Sequence, residues 1–311
     1  MDTPIIALAG GVGGAKLISG LTKTLNTKDL TIIVNTADDE EFYGLRVSPD
    51  IDTMTYTLAG VANNVTGWGR SSETYHTLRC LQDYGLDTWF KLGDKDMATH
   101  IYRTDLLNKG RSLSEVTTQI TKALGVKYVI APMTDDIIKT KVVTENSVLS
   151  FQDYFVRNQG NIAIKKLLFE GSEHASPSPI FTKSLENANG LIICPSNPFL
   201  SIAPILSIPG VRSSLEEFTG LRVAISPIIG QKAVRGPAAK ILEDFGEDVS
   251  CLGVAKQYQN ICDIFVIDES DKKYARDIEH LSLQVHTANI LMNTDVDKEN
   301  LAREICDLIE V

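Results

Sequence analysis

The chemistry in this chain is concentrated in an early group of acids, Asp38, Asp50 and Asp52. The segment Asn35-Thr36-Ala37-Asp38-Asp39-Glu40-Glu41 follows an apolar run, Leu30 to Val34, that reads as a buried strand. Polar and acidic groups just past a strand's carboxyl end sit where open α/β sheets bind ligands. An acidic run standing alone reads equally well as a solvated face. This one is followed within a dozen residues by Ser48-Pro49-Asp50-Ile51-Asp52-Thr53. Two carboxylates at i and i+2 converge on one hard cation if the backbone there is irregular, as the proline suggests, and beside phosphates that cation is magnesium. The competing use of Asp50 is to cap a helix running from Asp52 to Ala59.

A second group is Gly10, Gly11, Gly13 and Gly14, between a β-branched run, Ile5 to Ala9, and a helical stretch, Ala15 to Leu25. Glycines at a strand-to-helix turn let backbone amides approach an anion, and the helix N-terminus adds its dipole. A dinucleotide fingerprint is incomplete, because Lys16 stands where the third glycine belongs. A Walker loop fails too, since Leu17 follows Lys16 in place of Ser or Thr. The loop therefore reads as a phosphate or nucleotide site of unspecified type.

The 311 residues, 43% of them hydrophobic, suffice for one large α/β core with an insertion. A net charge of −10 argues against nucleic acid or an anionic membrane as partner, and a phosphate-handling protein of that sign needs a metal as screen. Cys80, Cys194, Cys251, Cys262 and Cys306 are too scattered for a zinc site or a disulfide framework, which fits a reduced, cytoplasmic setting. No run approaches a membrane span, and Met1 to Ala9 lacks the basic flank of a signal peptide.

The elements that must hold these residues alternate as in a parallel sheet. Residues 60–125 read as mostly helical, with amphipathic stretches at Thr74–Tyr84, Met97–Asn108 and Leu113–Leu124. Ser71-Ser72-Glu73 offers a start for the first, and Ser112 with Glu115 a capping box for the third. Between them, Lys91 to His100 is denser in charge than a connector needs; Lys91 is the better candidate for an anion contact, and His100 reads as a surface or satisfied histidine. Tyr128 to Ala131 is a further strand. Thr140–Thr144 and Val148–Phe151 alternate around Glu145-Asn146-Ser147 as a hairpin, with Asp153 to Arg157 as its packed end. The alternation resumes with Gly190–Cys194, Arg222–Ser226, Asp263–Asp268 and Val285–Met292, and Lys298–Glu310 closes the chain as a helix. The expected architecture is a three-layer α/β/α Rossmann-like sheet: residues 1–136 plus 175–311 form the core with its helical region, and 137–174 a small inserted β element.

Taken in order, GGVGGAKL, NTADD, SPDIDT, KLGDKDMATH, PMTDD, SFQDYFV, PSNPFLSIAPILSIPGVR and SPIIGQKAVRGPAAK resemble the 2-phospho-L-lactate transferase family, called CofD in archaea and FbiA in actinobacteria. The match runs from residue 5 to about 293. The resemblance implies transfer of a phospho-(organic acid) group, 2-phospholactyl, phosphoenolpyruvyl or phosphoglyceryl. The donor is a guanosine diphospho-compound, the acceptor the ribityl hydroxyl of the deazaflavin precursor Fo, and GMP is released in coenzyme F-420 biosynthesis. It implies Mg2+ on Asp38, Asp50 and Asp52, and Fo contacts from Asp52 and Lys91, which with Asp50 form the catalytic set. The glycines and Asn35 would face the diphosphate, Ser196 and Asn197 the guanosine, and the protein would be a homodimer. The alternative is a non-enzymatic nucleotide-sugar-binding regulator of the gluconeogenesis-factor type. A nicotinamide dehydrogenase is disfavoured, because Asn35-Thr36 lacks the ribose-binding acid.

Overall fold

The computed structural model describes residues 4–63, 65–234 and 236–310. Its centre is a sheet of seven parallel core strands: β1 (Ile5–Ala9), β2 (Leu30–Val34), β3 (Val129–Pro132), β4 (Gly190–Ile193), β5 (Leu221–Ile225), β6 (Ile264–Asp268) and β7 (Gln284–Ala288). They lie in the order β7-β6-β5-β4-β1-β2-β3. β1 pairs with β2 from Ile5↔Leu30 and with β4 from Ile5↔Gly190. Strand order therefore reverses between β1 and β4, which opens a crevice beyond their carboxyl ends.

The two-residue period of the strands divides the core between two faces. Ile6 and Leu8 of β1 join Ile33, Leu191, Ile193 and Phe265 on one face, while Ile5, Ala7 and Ala9 join Ile32, Ile192, Val223 and Ile225 on the other. Both faces are covered, which is why these strands are continuous apolar runs. Helix α1 (Gly11–Thr24) packs on the second face against the closing helix Asp295–Ile309. The α/β/α layering is the one read from the sequence.

The helical region comprises α2 (Pro49–Leu58), α3 (His76–Asp83), α4 (Asp94–Asn108) and α5 (Leu113–Ala123). It differs from expectation in three respects. Helix α2 begins at Pro49, so Asp50 and Asp52 both lie in its first turn and neither Asp50 capping nor an irregular backbone holds. Residues 61–63 and 65–75 contain no helix. The caps of α3 and α4 are exchanged: Asp94 accepts from the His76 and Thr77 amides, while Glu73 accepts from those of Lys95 and Asp96. Asp94 is accordingly held below the usual carboxylate range by its hydrogen bonds from Thr74, Thr77 and His76. Helix α5 has the expected Ser112–Glu115 capping box.

The expected hairpin forms from Lys139–Val143 and Val148–Ser150, and a third strand, Lys166–Glu170, pairs along its other edge. This inserted element is stitched to the acidic loop. Three successive loop carbonyls, those of Ala37, Asp38 and Asp39, accept from the Thr140 amide at 2.8 Å, from Gln152 Nε2 at 3.0 Å and from Lys139 Nζ.

Candidate functional site

Two loops meet at the switch point. Ser196, just after β4, accepts from the Gly10 amide at 3.0 Å and donates to the Gly10 carbonyl at 2.8 Å. A side chain on Gly13 would place its Cβ 2.3 Å from the Pro195 carbonyl oxygen, so that glycine serves loop-to-loop packing. Gly11 has a positive φ of 62° and faces open space, and its amide donates to Asp50 Oδ1 at 2.9 Å. With Gly10 and Gly11 engaged, the first-turn amides of Val12 and Gly13, which have no carbonyl four residues back in α1, are left for an anion. Asn197 caps the turn Pro198–Ile202 through Oδ1, at 2.9 and 3.1 Å from the Phe199 and Leu200 amides. Its Nδ2 is buried with no partner among the described residues.

Helix α2 separates two carboxylate centres, because residues two apart on a helix diverge by roughly 200°. On one side, Asn35 Nδ2 lies 3.1 Å from both Asp38 Oδ2 and Asp50 Oδ2, tying the pair together without neutralising it. Burial and the charge of Asp50 push the Asp38 carboxyl well above the usual range, and burial raises Asp50 too. Asp39, which accepts from Ser48 Oγ at 2.6 Å, is pushed by burial to about 7. Asp38 Oδ1 and Asp39 Oδ1 are buried with no hydrogen-bond partner among the described residues.

On the other side, Asp52 is paired. Arg103, 1% exposed, donates to Asp52 Oδ1 through Nη2 and to Oδ2 through Nη1 at 3.1 Å. The same Nη1 lies 3.1 Å from His100 Nδ1. A guanidinium only donates, so His100 Nδ1 accepts, and Nε2 turns to Asp96 Oδ1 at 3.4 Å. Tyr56 completes the group, its hydroxyl donating to Asp96 Oδ1 at 2.6 Å. Despite burial, Asp96 is held below the usual range by His100, Tyr56 and Arg103, while burial and the charges of Asp52 and Asp96 push Tyr56 well up.

Both centres border one cavity of about 780 Å³. Gly10, Gly11, Gly13, Asp38, Asp50, Asp52, Lys91, Ser196 and Asn197 all line it. Gly14 and Asn35 stand behind its wall; Asn35 is fully buried and holds the acids rather than facing the cavity. Aromatic rings line the same cavity: Trp68, Trp89, Phe90, Phe151 and Phe155. Phe90 is set by a parallel stack on Phe42, with centroids 3.8 Å apart, and Trp89 by the Arg157 guanidinium 5.4 Å from its centroid. The Asp153–Arg157 segment therefore both packs, through buried Tyr154, and lines the cavity, through Phe155. Exposed Lys91 directly follows Phe90 in the chain.

Sequence reasoning missed Arg103, Asp96 and Tyr56 and placed His100 only as a surface or satisfied residue. The signal was present: Asp96, His100 and Arg103 are spaced i, i+4, i+7 on α4, and Asp52 and Tyr56 i, i+4 on α2, two polar stripes that face each other.

A doubly wound parallel sheet with a glycine loop and acids at its switch point defines an α/β, Rossmann-like protein with a cavity at the place where such sheets bind ligands. The chain belongs to the 2-phospho-L-lactate transferase CofD family, which it matches over residues 5–310. It is 38% identical over 307 residues to the 2-phospho-L-lactate transferase of Methanocaldococcus jannaschii, with 97% of each chain covered. It is 36% identical over 313 residues to the phosphoenolpyruvate transferase of Streptomyces griseus, with 98% of each covered. A solved member of the UPF0052 family from Bacillus halodurans shares the fold, with a TM-score of 0.65 at 16% identity over 98% of this chain and 99% of that one. Among the described residues no helix is long and apolar enough to cross a membrane.

Proposed function

We propose that this protein transfers a phospho-(organic acid) group from a guanosine diphospho-donor to the ribityl hydroxyl of the deazaflavin precursor Fo, releasing GMP. The observation that carries the reading is one cavity lined both by helix-start amides and acids and by aromatic rings. A diphosphate suits the first, and a flat heteroaromatic ring suits the second. The attacking hydroxyl would lie between them, near Asp52 and Lys91.

The acid pair fits a hard cation. Asp38 is buried and Asp50 half-buried, the two are joined only by a neutral amide, and Asp38 keeps an oxygen without a partner among the described residues. We assign Mg2+ to this pair; when bound it would neutralise charge on the donor's phosphate oxygens. Asp52, whose oxygens accept from Arg103, we assign to the acceptor side, where a fixed carboxylate orients the hydroxyl and accepts its proton as oxygen bonds to phosphorus and the GMP oxygen departs. Lys91 would contact Fo, Val12 and Gly13 amides the diphosphate, and Asn197 Nδ2 an acceptor atom of the guanosine moiety.

The test is incubation of the purified protein with Fo, Mg2+ and, separately, the lactyl, enolpyruvyl and glyceryl guanosine diphospho-donors, with mass-spectrometric detection. GMP and a phosphodiester of Fo are expected with at least one donor, which also identifies the acid. No product with any of them, together with nucleotide-sugar binding, would replace the reading with the regulatory one.

A further inference from the structure

Asp52, Asp96 and His100 present ligand atoms within 4.8 Å of one another, all from buried residues. By residue type and spacing this is a set for a divalent transition metal. The Arg103 guanidinium already engages two of its three members: it donates to both Asp52 oxygens and to His100 Nδ1, with the two hydrogens of Nη1 shared among Asp52 Oδ2, His100 Nδ1 and the Arg46 carbonyl at 3.3 Å. We propose that Arg103 is a built-in cation standing where a metal would otherwise bind, and that as a positioning residue it aims the Asp52 carboxylate at the acceptor hydroxyl.

Three features support this. Asp52, Asp96, His100 and Tyr56 line the cavity while Arg103 does not, so the guanidinium acts through Asp52 and not on substrate. A planar, two-pronged donor fixes the orientation of a carboxylate plane as a lone ammonium cannot. The guanidinium is in turn held by His100, whose other nitrogen lies 3.4 Å from Asp96 Oδ1, the oxygen that accepts from Tyr56. The arrangement also separates two cations by kind, a permanent one beside the acceptor and an exchangeable one at Asp38 and Asp50. The assignment of the acceptor rests on the proposed transferase reading; the assignment of Arg103 as the resident cation does not.

The experiment compares wild type, Arg103→Met and Arg103→Lys in two measurements. With Mg2+ saturating, Co2+ titration followed by its visible absorption should show no His-ligated site in wild type, and one new site in Arg103→Met that disappears in the Arg103→Met, His100→Ala double variant. In steady-state transfer, kcat should fall about 100-fold in Arg103→Met and about 10-fold in Arg103→Lys with the donor KM within about twofold, the pattern of lost orientation at the reacting centre. Methylguanidinium should restore part of the Arg103→Met rate, and methylammonium should not. A His100-dependent Co2+ site in wild type would overturn the proposal, as would folded Arg103→Met or Arg103→Lys protein with wild-type kcat. If Arg103→Met fails to fold, the kcat of Arg103→Lys decides. If wild type transfers to Fo from no donor, the transferase reading falls, and the Co2+ comparison still decides what Arg103 does.

Discussion

Helix α2 turns Asp50 to one side and Asp52 to the other, and the half-buried Asp50 and the buried Asp52 meet opposite surroundings. Asp52 is matched by a guanidinium that takes both its oxygens. Asp50 and its neighbour Asp38 share only the amide of Asn35, and their carboxyls are pushed upward. Two carboxyls held side by side are accommodated either by keeping a proton or by binding a cation, whereas Asp52 already has its cation within the chain.

Breaking the two centres should have opposite effects on stability. Asp52→Asn leaves Arg103 buried opposite a neutral group and is expected to cost about 3 kcal/mol in urea unfolding, with loss of transfer. Asp38→Asn replaces a carboxyl that burial and Asp50 make costly to ionise and is expected to stabilise the metal-free protein by about 1 kcal/mol while also abolishing transfer. Equal losses in both variants would erase the distinction.

The pH dependence sharpens it. Asp39 is moved from 3.8 to about 7, and Asp38 and Asp50 are raised as well, so the folded protein keeps protons that the unfolded chain has already released. In this range the folded state binds more protons, so the stability of the metal-free protein should fall as pH rises from about 4 to about 7, by about 1.4 kcal/mol per pH unit for Asp39 alone and by more with Asp38 and Asp50. Mg2+ should therefore raise the melting temperature more at pH 8 than at pH 5.5. Asp38→Asn should flatten the metal-free slope; a slope unchanged in that variant would assign it to other groups.

The smallest expected effect concerns the inserted element. Gln152→Leu removes the hydrogen bond to the Asp38 carbonyl and should cost about 1 kcal/mol of stability and raise the Mg2+ requirement several-fold. An unchanged Mg2+ requirement would make the stitching purely structural.

Much of this arrangement was legible in the chain. The strands that became β1, β2, β4, β5 and β6 are apolar runs because both faces of a parallel sheet are covered, and the glycine loop, Asp38, Asp50, Asp52, Lys91, Ser196 and Asn197 do share one cavity. What local pattern could not convey is pairing across distance. The reason for Gly13 lies in the carbonyl of Pro195, 182 residues further along the chain. Pro49 was read as a sign of irregular backbone, but proline in the first turn of a helix is well tolerated, and this put Asp50 and Asp52 on one point instead of two sides. Arg103 drew no reading from the sequence, because its stripe with Asp96 and His100 has meaning only once α2 lies opposite.

The most direct test is calorimetric titration of Mg2+ into wild type, Asp38→Asn and Asp52→Asn at pH 8. The account predicts one site in wild type, its loss in Asp38→Asn and its retention in Asp52→Asn. Retention in Asp38→Asn, or loss in a folded Asp52→Asn, would contradict the division of the two acids between an exchangeable cation and a permanent one.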